Sequence, residues 1–314
     1  MDSITHALLA AFVFYAAGFP ALIPFAILGA VILDADILFF FFSSGRPSRY
    51  MFIHGGASHS IVGSTVMAVS AFVLAILAIS LLGLVIPWTT ENVFLPAAFG
   101  AVLGGAWLHL VLDWLATPGI PLAWPFKDTK YTLGVFAGPS PVMLAVSIAF
   151  ILLVATGLTS PLSIMYYGLF FLAYFAVWAG LRGYVAHKIP GDVYPTMHPL
   201  RWLVIRHEQG TWSSCFIQLG RKGQLNMNSW PEYSNTGPGE LSGIDSVPEV
   251  KRVRYHSNFT VAEKNEETII IRDPLREARI LRYPPYYMRV VLEKGDNGTW
   301  TVDNQDHAGY NDGT

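Results

Sequence analysis

LPAAFGAVLGGAWLHLVLDWLA, residues 95–116, is long enough to cross a bilayer and has only two ionisable side chains, His109 and Asp113. An unpaired ionisable group in such a run costs several kcal/mol, so both side chains are expected to have a partner or a task. Four residues separate them, and in a helix that spacing stacks imidazole and carboxylate on one face. There they can ligate one ion or bond to each other.

Apolar runs of similar length occupy residues 21–42, 58–86, 141–158 and 161–181, with a shorter one at residues 4–18. Gly18-Phe19-Pro20 breaks the first two apart. These runs predict an α-helical polytopic membrane domain of about six helices, the first of them short. Loops carrying Arg46 and Arg49, Lys127 and Lys130, and Arg182 and Lys188 fall on one side of this topology, while the opposite loops have no Lys or Arg. By the positive-inside rule both termini are expected in the cytoplasm, in a multi-pass protein of the inner or plasma membrane.

The remainder of the 314 residues is a different material. Overall 53% of the chain is hydrophobic and 13% charged, but the charge is concentrated after Arg182. Residues 1–186 read as the membrane domain, residues 187–193 as a linker broken by Pro190, and residues 194–314 as a small β-rich (α+β) soluble domain. Two β-hairpins are expected there. Residues 201–207 and 212–219 flank Glu208-Gln209-Gly210, and residues 286–293 and 298–302 flank Lys294-Gly295-Asp296-Asn297. Residues 248–263 fit a helix or a strand, and residues 226–246 read as a surface loop. The single cysteine, Cys215, excludes an internal disulfide and a thiolate cluster. A net charge of −2 gives no ground for nucleic-acid binding.

On the expected topology His6, Asp34, Asp36, His54, His59, His109 and Asp113 all fall at one membrane face. Asp34 and Asp36 lie about 200° apart on an ideal helix, so only one of them can ligate a shared ion unless the backbone unwinds. Asp36 is taken as the ligand, with Asp34 free to hold a ring or accept a proton. His54-Gly55-Gly56-Ala57-Ser58-His59-Ser60 places two imidazoles across a turn of small residues, with Ser58 as the expected cap of the next helix. The expected metal ligands are His6, Asp36, His54, His59, His109 and Asp113, and the catalytic pair is Asp34 and His54. His187, His198, His207, His256 and His307 lack ligand spacing and are given no role.

Met1-Asp2-Ser3-Ile4-Thr5-His6, Leu33-Asp34-Ala35-Asp36, His54 through Ser60, and His109-x-x-Leu112-Asp113-x-x-x-Thr117-Pro118-Gly119-Ile120-Pro121 resemble the LexA-regulated, membrane-bound, metal-dependent hydrolases, the YdjM-like family. The resemblance covers roughly the first 200 residues and implies a metal-dependent hydrolase of unspecified substrate. A more distant likeness is to the zinc-dependent phospholipase C and single-strand nuclease superfamily. It implies zinc held by His6, Asp36, His54 or His59, His109 and Asp113. The chain departs from that pattern in lacking a later His-x-x-x-Glu pair and in having Gly55 at a position usually held by Arg.

The expected cofactor is therefore a divalent metal, zinc first, and the expected chemistry is attack by a metal-activated water on an ester or phosphoester. A site just inside the cytoplasmic interface is level with lipid headgroups, which makes a lipid or lipid-linked phosphate the expected substrate. Arg46, Arg49, Lys127 and Lys130 are expected around it. The C-terminal domain is a candidate surface for a protein partner. Two readings from other classes compete: a transporter of metal ions or protons, and a non-catalytic membrane scaffold with a metal clasp.

Overall fold

A computed structural model describes residues 1–43, 46–83, 94–221, 223–241, 243–265, 268–281, 289–295 and 300–306. By contact the chain divides into two compact units. The first comprises Met1–Phe41, Met51–Leu203 and Gln218–Arg221, and the second Phe42–Tyr50, Val204–Ile217 and Lys222–Thr314.

The first unit is helical. Asp2 caps α1 (Ser3–Ala16) by accepting from the Thr5 amide, and α2 (Ile23–Ile32) follows a single turn at Pro20–Leu22. From Leu33 to Phe39 the chain tightens into 3-10 geometry before α3 (Phe40–Ser43). Ser60 caps α4 (Ile61–Leu81) through the Gly63 amide. The expected cap, Ser58, is engaged elsewhere. α5 (Phe94–Trp114) leads into a short parallel pair, β1 (Ala116–Thr117) with β2 (Phe136–Ala137). α6 (Pro141–Ala155) and α7 (Ile164–Lys188) complete the helices.

Among the described residues four segments are long and apolar enough to cross a membrane: Pro20–Phe39, Ile61–Leu81, Phe94–Trp114 and Pro161–Lys188. Ser3–Ala16 and Pro141–Ala155 are apolar but shorter, so length supports four spans where about six were expected.

The core of this unit is built from small residues. Ala26, Ala30, Ala98, Ala101, Val102 and Ala106 are buried where α2 crosses α5. A β-carbon on Gly29 would lie 1.9 Å from the Val102 carbonyl oxygen, and one on Gly105 would lie 2.0 Å from that of Ala26. The two backbones are therefore in contact, and only glycine fits at either position.

The segment expected to be a linker contains the end of α7, a break at Ile189–Gly191 and the start of β3 (Asp192–Pro195). The first unit extends to Leu203, past the expected boundary at Tyr194, because Val193 and Trp202 are buried in it and Trp202 packs on Trp178 of α7 with ring centroids 6.1 Å apart. The boundary falls within β4 (Arg201–Glu208).

In the second unit β4 and β5 (Thr211–Gln218) flank Gln209 and Gly210, both with positive φ, as a tight hairpin turn requires. The expected loop at residues 226–246 is partly strand. β6 (Gln224–Pro231) pairs antiparallel with β5, held by its backbone although half its side chains are polar and most are exposed. Residues 248–263 hold both a helix and a strand. α8 (Pro248–His256) precedes β8 (Val261–Asn265), which pairs in parallel with β7 (Tyr233–Ser234) and antiparallel with β9 (Thr268–Arg272). After α9 (Pro274–Glu277), β10 (Arg289–Lys294) lies between β9 and β11 (Trp300–Asp306). Residues 296–297 of the expected second turn lie outside the described residues. Residues 42–50 join this unit because Pro47–Arg49 packs on α8 and Tyr50 on Tyr255.

Replacing Gly105 with Leu should overpack the α2–α5 contact and cost about 1–3 kcal/mol or more. A β-carbon on Gly100 of the same helix meets nothing within 4 Å, so Gly100→Leu should be neutral. Thermal unfolding in detergent checks this, and equal melting temperatures for the two variants would refute the contact.

Candidate metal centre

Three elements supply the site. The 3-10 turn after α2 carries Asp34 and Asp36, the turn before α4 carries His54 and His59, and the last turns of α5 carry His109 and Asp113. In 3-10 geometry two residues are about 240° apart instead of 200°, so the aspartates diverge by about 120°. They face different partners.

Asp34 faces inward. Its Oδ1 lies 3.6 Å from His109 Nε2 and 3.9 Å from His59 Nε2. Asp113 Oδ2 lies 3.3 Å from His109 Nε2 and 3.4 Å from His59 Nε2, and the two Nε2 atoms are 3.1 Å apart. Tetrahedral ligands about 2.0–2.1 Å from a zinc ion stand about 3.3 Å from one another. Four of these five separations lie within a few tenths of an ångström of that edge, and the fifth, His59 Nε2 to Asp34 Oδ1 at 3.9 Å, is longer.

The rings are fixed from behind. His109 donates Nδ1–H to the Ala30 carbonyl at 2.6 Å, and His59 Nδ1 lies 3.0 Å from Asp36 Oδ2. Both Nδ1 atoms therefore carry a proton, which directs both Nε2 atoms toward the carboxylate oxygens. Asp36 also accepts from His54 Nδ1 at 2.7 Å, from the Gly55 amide at 3.3 Å and from the Ser58 hydroxyl. Gly55 has φ +74°, a conformation suited to glycine.

The roles expected of the aspartates are thus exchanged. Asp36 is saturated by donors and holds two imidazoles, whereas Asp34 points into the cluster. Ser58 braces Asp36, and Ser3 donates its hydroxyl to Asp34 Oδ2. In the sequence Ser58 reads only as a helix cap and Ser3 only as part of the N-terminal motif, because one hydroxyl beside a carboxylate has no spacing signature.

His6 is fully buried and stacks on His109, with centroids 3.7 Å apart and planes 13° apart. Its Nε2 is 3.2 Å from Asp113 Oδ1, and neither ring nitrogen makes a hydrogen bond. The Met1 amine also contacts Asp113 Oδ1. Three overlapping groups could hold an ion: His6, Asp34 and His109; Asp34, His54 and His59; and His59, His109 and Asp113.

His54 is the outward member, with 37% of its side chain exposed against 0% for His6, His59 and His109. Its bond to Asp36 holds the imidazole above the ordinary histidine pKa. That pairing stabilises the protein below the ordinary value, and the contribution fades as pH rises through the raised one. Elsewhere His207 pairs with Glu232 at 3.0 Å and stacks on Trp212, outside the cluster. Arg46 and Arg49 belong to the second unit, and Lys127 and Lys130 to the first.

A family model described as YdjM inner membrane protein matches residues 1–186, which include every member of the cluster. The chain belongs to this family. No curated protein and no solved structure matches it.

The geometry predicts that Asp34→Ala abolishes metal retention by the purified protein, while Asp36→Asn weakens affinity about 10–100-fold by loosening the histidine rings. Competition with a chromophoric chelator measures both. Loss of metal in Asp36→Asn with full retention in Asp34→Ala would restore the opposite assignment.

Proposed function

We propose that this protein is a multi-pass inner-membrane hydrolase, dependent on a divalent metal, with zinc the best fit to an N₂O₂ donor set. The observation that supports it most is the convergence of Asp34 Oδ1 and Asp113 Oδ2 on the same two imidazole nitrogens, His59 Nε2 and His109 Nε2, with each oxygen 3.3–3.9 Å from both and the nitrogens 3.1 Å apart. The bond at each Nδ1 turns the ring so that its Nε2 faces the two carboxylates, an arrangement that a cation would complement.

A divalent ion held there supplies Lewis acidity and lowers the pKa of a water to about 7. The chain supplies the remaining chemistry. Asp34, His59, His109 and Asp113 would hold the ion. Asp36 aligns His59 and His54, and His54 Nε2, whose opposite nitrogen is tied to Asp36, moves a proton between the attacking water and the departing oxygen.

In the proposed topology the two shorter apolar helices also insert, giving six passes with both termini cytoplasmic, as the placement of Arg and Lys favours. In that topology the cluster, where α2 and α5 end, would be level with lipid headgroups, which favours a lipid or lipid-linked phosphate ester as the substrate class.

The test is release of headgroup or phosphate from phosphoester lipids by the protein in nanodiscs, with and without chelator. Metal-dependent turnover is expected, and His54→Gln should lower kcat about 10²–10⁴-fold with metal content unchanged. A metal-loaded parent that hydrolyses no ester or phosphoester would overturn the assignment.

A further inference from the structure

The cluster is closed on most sides. Asp36, His6, His59 and His109 are fully buried, and the Asp34 and Asp113 side chains are 14% and 13% exposed. Only His54 opens substantially outward, so a reactant must approach past it.

Exposed and half-exposed aromatic side chains stand on the His54 turn and on the turn bonded to the start of the helix that follows it. Phe52, two residues before His54, is 43% exposed, and its ring meets that of Trp124 edge to face at 6.2 Å. Phe126 is 86% exposed at the tip of a turn closed by its own amide on the Ala123 carbonyl. Ile37 and Leu38, which follow Asp36, are also exposed and belong to the candidate span Pro20–Phe39. The segment that carries Asp36 therefore also presents exposed apolar side chains.

The aromatic side chains are also held in register with the cluster. The Ile61 amide, one residue past the Ser60 cap, donates to the Leu122 carbonyl at 3.1 Å, and Ile120 pairs with Tyr131. The Trp124 turn and the His54–His59 turn are thus fixed to each other through backbone bonds. A soluble polar substrate would gain nothing from aromatic rings here, whereas a hydrocarbon chain would bury them.

We infer that Phe52 and Trp124, extended by Phe126, form a subsite for the apolar chain of an amphiphilic substrate whose phosphate end passes His54 to the metal cluster. This rests on the proposed metal-dependent phosphoesterase reading and adds residues that set chain preference.

The test measures binding, so it does not require turnover. Methylphosphonate and octylphosphonate are titrated into the zinc-loaded, solubilised full chain by calorimetry. In the parent, octylphosphonate should bind at least 10-fold tighter. In a Phe52→Ala, Trp124→Ala double variant the gain should fall below 3-fold with methylphosphonate affinity unchanged, and Phe52→Leu with Trp124→Phe should restore it. Partition of the chain into detergent is common to all three proteins and cancels. Equal affinities in the parent, a gain that survives in the double variant, or no phosphonate binding would each overturn the subsite. Chain-dependent binding without hydrolysis of any ester would instead refute the hydrolase reading and leave the subsite standing.

Discussion

Gly29 and Gly105 bring the backbones of α2 and α5 into contact, and the close approach lets the Ala30 carbonyl accept from His109 Nδ1. One packing contact thereby sets both the separation of two helices and the tautomer of a buried imidazole. Asp34, just beyond α2, then meets His109 and Asp113 on the last turns of α5. In hydrocarbon no hydrophobic effect draws helices together, so close packing of small residues and a few polar bonds must supply the association. Here the polar bond across the interface also orients a group of the site.

The cluster separates holding from orienting. Asp34 and Asp113 present oxygens to two imidazole nitrogens, while Asp36 spends its lone pairs on His54, His59, Ser58 and Gly55. Without Asp36 both rings would be free to turn. The tightened backbone from Leu33 to Phe39 makes this division possible, because an ideal α-helix would send the two carboxylates to nearly opposite faces. The short α2 and its 3-10 continuation therefore shape the cluster as much as the span.

Much of this was legible in the residues. The i, i+4 spacing of His109 and Asp113 and the paired histidines of residues 54–59 marked the site. The apolar runs marked the helices. Which aspartate points inward was not legible, since it depends on a local change of helical pitch that Leu33-Asp34-Ala35-Asp36 does not announce. The Gly29–Gly105 contact was missed for a related reason, because glycine within an apolar run is informative only once its neighbour across the interface is known. In the second unit β6 escaped because Asn, Gln and Ser mimic a loop, whereas its pairing with β5 is made by backbone groups that composition does not report.

The account stands on four donor atoms closing around one ion, and X-ray absorption at the zinc edge of the metal-loaded protein tests that most directly. Four nitrogen and oxygen donors at about 2.0–2.1 Å, with the multiple-scattering signature of two imidazoles that falls to one in His59→Gln, is the predicted result. A six-coordinate ion without imidazole scattering, or a spectrum unchanged in His59→Gln, would contradict it.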